Sequence, residues 1–364
     1  MQDSFGRNID YLRISVTDRC NLRCRYCMPD GIQTVPMADI LTFEEMLEIA
    51  GCAAKLGIKH IKVTGGEPLV RKGCCGFVES LKKLPGIETV TMTTNGILLK
   101  SCLEEVKAAG IDGINISMDT RNEALYRLLT GGGDLKKVFQ SIESALDMGI
   151  RVKINSVSAD WSHLAAQCKD EEAKADWREM VELARTYPVD VRFIEIMPIG
   201  YGKQFSPIDH RTLKKEMKAW YPQMEEDHSS HGFGPAVYYH IPGFAGSIGF
   251  ISAIHGKFCH QCNRVRLTAQ GMLKTCLCYD DGTDLRAVLR EGQGAGQAFA
   301  GAQEEKSREN QDVGQTFDGA WEKQRREDRL LKAMEGAVRR KAEAHCFEAP
   351  EDITENHTMS SIGG

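Results

Sequence analysis

Three cysteines, Cys20, Cys24 and Cys27, stand within eight residues in the spacing C-x3-C-x2-C. Thiolates are the usual ligands of iron–sulfur clusters, so three packed this closely can hold three irons of a cubane. The fourth iron is left without a protein ligand, and an open iron serves chemistry rather than architecture. Zinc is the competing reading, but three thiols fall one ligand short of a closed tetrahedral site. A second trio, Cys259, Cys262 and Cys276, has the spacing C-x2-C-x13-C and carries Asn263, Arg264, Val265, Arg266 and Leu267 inside its loop. It too suits a cluster with one open iron; alternatively Cys278 or His260 completes a zinc ribbon.

Cations form the third set. Arg13, Lys62 and Lys153 lie on three predicted strands, near their carboxyl ends and flanked by apolar residues. A lone strand cation usually ends in a surface salt bridge. Three that converge on one mouth fit a polyanion, with arginine offering two-point contacts to phosphate and lysine a point charge. Thr64, Gly65, Gly66, Glu67 and Pro68 close the second predicted strand, where glycines let backbone approach a ligand closely.

The elements that must position these groups alternate. Strands are predicted at 11–16, 61–64, 89–93, 113–117, 152–157 and 191–196, with helices at 43–56, 75–84, 100–109, 135–148, 173–185 and 211–220. Thr42 followed by Glu45 predicts a capping box at the first helix. Six strand–helix units at roughly 30-residue spacing imply a parallel sheet with right-handed crossovers. Six are too few for an eight-fold barrel, so an open partial barrel is the natural reading, and a doubly wound sheet has the same local signature. Either way the site belongs at the carboxyl ends of the strands.

Beyond about residue 230 the style changes. Short antiparallel strands are expected at 237–241 and 248–252 around Pro242-Gly243, then a hairpin through Gln270-Gly271. Two domains follow, 1–230 and 231–364. Segment 293–315, rich in Gly, Ala, Gln and charge, reads as a linker or insertion. The stretch 158–174 is irregular, and 321–344 reads as a charged helix with a solvated face.

The chain has 364 residues, a formal net charge of -5 and 13 cysteines. That mild acidity argues against non-specific nucleic-acid binding. No apolar run reaches the roughly 20 residues of a membrane span, and residues 1–7 show no signal-peptide core, so a cytoplasmic protein is expected. A disulfide scaffold suits shorter, core-poor chains. Cys52, Cys74, Cys75, Cys102, Cys168 and Cys346 read as small buried hydrophobes or incidental thiols.

With Tyr26 between its last two cysteines, the first motif resembles that of the radical S-adenosylmethionine superfamily, which implies a partial (βα)6 barrel of the TIM type. It also implies that S-adenosylmethionine chelates the open iron and that the reduced [4Fe–4S] cluster cleaves it to a 5′-deoxyadenosyl radical. By the same resemblance Tyr26, Gly66, Ser117 and Met197 contact S-adenosylmethionine. The second trio, its Asn-Arg-x-Arg-Leu insert and the ending Ile362-Gly363-Gly364 narrow the resemblance to the GTP 3′,8-cyclase family of molybdenum-cofactor biosynthesis, over about residues 6–284 and the last few. This implies a second [4Fe–4S] cluster whose open iron binds guanine, in a smaller α+β region. It implies that Arg13, Lys62, Thr93, Lys153, Arg264 and Arg266 hold GTP, and that Gly363 and Gly364 reach into the active site for catalysis. Implied partners are a flavodoxin- or ferredoxin-type reductant and a downstream cyclic pyranopterin monophosphate synthase; a homodimer is compatible. The rivals are a radical peptide-modifying enzyme and a non-catalytic metal-binding protein.

Overall fold

The computed structural model describes residues 1–31, 35–168, 176–291 and 314–362. Six parallel strands alternate with helices: β1 (Tyr11–Ser15), α1 (Phe43–Lys55), β2 (His60–Thr64), α2 (Cys74–Lys82), β3 (Thr89–Thr94), α3 (Leu103–Ala108) and β4 (Gly113–Ser117). The chain continues through α4 (Glu123–Leu129), α5 (Leu135–Asp147), β5 (Val152–Ser158), α6 (Ser162–Ala165), α7 (Trp177–Thr186), β6 (Asp190–Glu195) and α8 (His210–Trp220). The predicted capping box opens α1: Thr42 Oγ1 accepts from Glu45 N, and Glu45 accepts from Thr42 N at 2.8 Å. α4 was not expected. Asn122, whose side chain accepts from Leu125 N, starts it inside what reads as a loop. The predicted start of the fifth helix at 173 lies outside the described residues; α7 begins at Trp177 with Asp176 as its cap.

The remaining elements are β7 (Glu225–Asp227), β8 (Val237–His240), β9 (Ser247–Ile251), β10 (Arg264–Leu267), β11 (Met272–Lys274), β12 (Thr283–Asp284), α9 (Leu285–Arg290) and α10 (Gly314–Arg339). Both expected antiparallel pairs form, β8 with β9 and β10 with β11. They do not build a separate sheet. β9 runs parallel beside β6 and β10 parallel beside β1, so one 12-stranded sheet runs in the order β12-β11-β10-β1-β2-β3-β4-β5-β6-β9-β8-β7. It curls without closing, and its central strands carry helices on the outer face. Among the described residues no helix is long and apolar enough to cross a membrane.

One expectation is corrected. The charged helix is not merely solvated: Leu330, Met334, Ala337 and Val338 of α10 are buried in the same core as Ile49 and Ala53 of α1 and Leu289 of α9. Their spacing of four, three and one residues is an apolar helix stripe, obscured in the sequence by the charges around it. The segment 293–313 lies outside the described residues.

Candidate active site

β1 runs straight into the first cysteine loop, and the end of β2 holds that loop in place. Gly66 N donates to Thr17 O at 2.7 Å and Glu67 N to Arg19 O at 2.8 Å. A Cβ on Gly66 would stand 2.4 Å from Arg19 O, so no side chain fits there. Glu67 is fully buried and accepts from Thr94 Oγ1, Asn95 N and Leu69 N at 2.8, 2.7 and 3.1 Å. Burial still lifts its carboxyl to about 7. Arg71 ties the loop down, donating to Val16 O and Leu41 O over the Phe43 ring.

Tyr26 donates from its hydroxyl to Asp119 Oδ2 at 2.8 Å and packs its ring against Trp161. Asp119 Oδ1 accepts from Val157 N, and burial raises this carboxyl to about 6. Burial pushes the Cys24 thiol well up and the Cys27 thiol to about 12. Leu22 N and the side-chain amide of Asn95 point donors at Cys20 Sγ, at 3.4 and 3.8 Å.

The second trio surrounds the start of β10. Cys259 opens a single turn of 3-10 helix, Cys262 follows it, and Cys276 comes just after β11. Burial alone would raise the Cys262 thiol, but Lys341 and Arg264 outweigh it and bring it down to about 7. Lys341 also caps the carbonyls of Arg264 and Thr275.

Both trios line one cavity of about 320 Å³, together with Arg13, Tyr26, Gly66, Thr93, Ser117, Met197, Arg264 and Arg266. The parallel β10–β1–β2 register explains the cation grouping, because Arg13 is the cross-strand partner of Arg266 on one side and Lys62 on the other. Burial pulls Arg13 down to about 10, with Arg264 and Arg192 pushing the same way. Lys62 is depressed well below its usual value by burial and then by Arg192, Arg13, Lys153 and Arg264. Neither Lys62 nor Lys153 lines the cavity itself. Lys153 is the second residue of β5, at its amino end rather than near the carboxyl end; it pairs with Asp190 at 2.7 Å and donates to Tyr238 Oη and His231 O. Gly363 and Gly364 lie outside the described residues.

The sequence reading missed several groups. Arg192, buried on β6 and bonded to Asn155 Oδ1, carries the same signal as Arg13, a cation between apolar strand neighbours. Asp119, Asn95, Lys341 and Ser360 had no local signal, since only packing brings them to the thiols.

Residues 14–158 match the Radical SAM superfamily and residues 189–313 match Molybdenum Cofactor Synthesis C. The chain is 44% identical over 293 residues to "GTP 3′,8-cyclase" of Peptoclostridium acidaminophilum, covering 80% of this chain and 87% of that one. The protein of the same name from Pelotomaculum thermopropionicum is 41% identical over 305 residues, covering 82% and 91%. The chain belongs to the GTP 3′,8-cyclase family. Its fold also resembles Streptococcus suis SuiB bound to S-adenosylmethionine, at 16% identity and a TM-score of 0.55, covering 74% of this chain and 61% of that one.

GTP 3′,8-cyclases are radical enzymes with two [4Fe–4S] clusters and S-adenosylmethionine as cofactors. The residues fit that requirement. All six motif cysteines are free thiols, each trio faces the cavity, and N–H donors already point at Cys20 Sγ. A coordinating metal takes such thiols as thiolates outright.

Proposed function

We propose that this chain converts GTP to (8S)-3′,8-cyclo-7,8-dihydroguanosine 5′-triphosphate, the first step of molybdenum-cofactor biosynthesis. The observation that carries this is the cavity between the two trios, with Arg13, Arg264 and Arg266 set half-buried into its wall and Lys62 buried behind it. When bound, the clusters supply the electron for cleaving S-adenosylmethionine and an open iron for the nucleotide base. The protein's own task is to orient the two substrates and to keep water out. Cys20, Cys24 and Cys27 hold the first cluster, and Cys259, Cys262 and Cys276 the second.

Gly66 offers bare backbone to the methionine moiety, while Tyr26, Ser117 and Met197 line the path of S-adenosylmethionine. Arg13, Thr93, Arg264 and Arg266 face the nucleotide directly. Lys62 lies deeper and supplies field to its phosphates, Arg192 extends that set, and Lys153, its charge offset by Asp190, bounds the set from below. Mutual repulsion among these cations is relieved when a triphosphate enters, which makes binding strongly dependent on phosphate charge. Gly363 and Gly364 assist turnover. Residues 1–230 supply the S-adenosylmethionine half of the site and 231–364 the second cluster. The reaction also requires a flavodoxin- or ferredoxin-type reductant and hands its product to a cyclic pyranopterin monophosphate synthase, in the cytoplasm, with a homodimer compatible.

Anaerobic incubation of reconstituted protein with GTP, S-adenosylmethionine and a strong reductant tests the proposal. It predicts 5′-deoxyadenosine together with a nucleotide joined between C3′ and C8. With both clusters present, absence of GTP-dependent 5′-deoxyadenosine would refute it.

A further inference from the structure

We propose that Cys278 and Cys346 form a thiol–disulfide couple that cross-links the carboxyl-terminal strap, residues 341–362, to the hairpin carrying Cys276. Neither cysteine belongs to a thiol trio. Their sulfurs stand 3.0 Å apart although the residues are 68 positions apart in the chain, and a formed bond needs about 2.0 Å. Cys346 N donates to Cys278 Sγ at 3.3 Å, which fixes the backbone of one partner against the sulfur of the other. Cys278 is fully buried, while Cys346 is partly exposed.

The strap is stitched to the hairpin on both sides of this pair. Tyr279 Oη donates to Ala344 O at 3.0 Å, Glu355 N to Cys278 O at 3.2 Å and Asp280 N to Thr354 Oγ1 at 3.0 Å. Lys274 and Glu355 form an ion pair at 2.5 Å with both side chains buried. The same strap supplies His345, Phe347, Met359 and Ser360 to the cavity wall. A covalent bond near its start therefore fixes one wall of the site.

The oxidant is a low-molecular-weight disulfide. Cys346, the more accessible partner, loses its proton and attacks one sulfur of that disulfide, releasing one small thiol. Cys278 then loses its proton and attacks Cys346 Sγ, releasing the second. Two cysteines lose two electrons and two protons, and one small disulfide becomes two thiols. The pair needs no nucleotide, so its behaviour is independent of the proposed reaction.

Cluster-loaded full-length protein, held anaerobically in glutathione/glutathione disulfide mixtures of increasing oxidation, would be denatured, alkylated and mapped by mass spectrometry. The expected result is a peptide linked through 278 and 346 that is absent from the Cys346→Ser protein. Amide hydrogen exchange over residues 345–362 should slow roughly fivefold on oxidation. Recovery of both cysteines separately alkylated at every ratio would overturn the proposal. So would loss of a cluster's iron in Cys278→Ser or Cys346→Ser, which would make them metal ligands. If a variant fails to fold, the wild-type map and exchange data still decide.

Discussion

Around Cys24 and Cys27 the thiols are pushed up by burial and by other acids, with Asp119 and Cys20 among them. Around Cys262 the neighbours are Lys341 and Arg264, and the thiol comes down to about 7. Cys276 of the second trio is still raised by burial, so the contrast lies between Cys24 and Cys27 on one side and Cys262 on the other, thiols of the same ligand chemistry inside one cavity. At Cys24 and Cys27 no cation among the described residues offsets the burial, so bound metal would supply the positive charge that those thiolates need. At Cys262 the protein supplies part of it, from Lys341 and Arg264. The contrast is the electrostatic ground for the proposed division, with the cationic wall for the anionic substrate and the acidic end for S-adenosylmethionine.

The largest expected effects come from removing one trio at a time. Cys24→Ser should eliminate 5′-deoxyadenosine and lower iron from about eight to about four per chain. Cys262→Ser should lose the same amount of iron but keep some cleavage of S-adenosylmethionine, now indifferent to GTP. Iron analysis and product chromatography separate the two, and identical behaviour would break the division of labour. Next in size is Arg266→Met. Loss of a charge-assisted phosphate contact should raise KM for GTP by roughly 10- to 100-fold. Cleavage without GTP should be unchanged.

A smaller effect concerns the acidic end. Asp119 ionises at the ordinary carboxylate value in the unfolded chain but near 6 in the fold. The folded state holds the proton through that interval, so stability falls as pH rises from about 4 to about 6 and stays lower above it. Asp119→Asn should remove that dependence and gain on the order of 1–3 kcal/mol at pH 7.5 relative to pH 4.5. Denaturant unfolding at both pH values checks it. The smallest effect is at the cationic end: Lys341→Met should raise the Cys262 thiol and slow its alkylation at pH 7 several-fold in metal-free protein, whereas Lys341→Arg should not.

Much of the frame was legible because periodicity reports burial locally. β1 to β6 announce themselves as β-branched runs, and the Thr42–Glu45 box marks α1 to the residue. The buried stripe of α10 was not legible, since Leu330, Met334 and Val338 are outnumbered by charges on a helix that covers the core with only one face. Lys153 was misjudged in depth because a strand's pattern says which face a residue takes, not how high it sits in the barrel. Cys346 read as incidental because its partner, Cys278, is brought to it only by the strap.

The chain's own order of residues determined the chemistry available: two thiol trios with set spacings, glycines where backbone must approach, and cations set into apolar strands. Those are local facts, fixed by covalent distance and side-chain type. Tertiary structure decided that the trios share one cavity. β10 pairs in parallel with β1, and that register places Arg266 beside Arg13 and Arg264 beside Tyr11. A long-range pairing of that kind is set by the free energy of assembling the whole sheet, to which no single segment of sequence gives access.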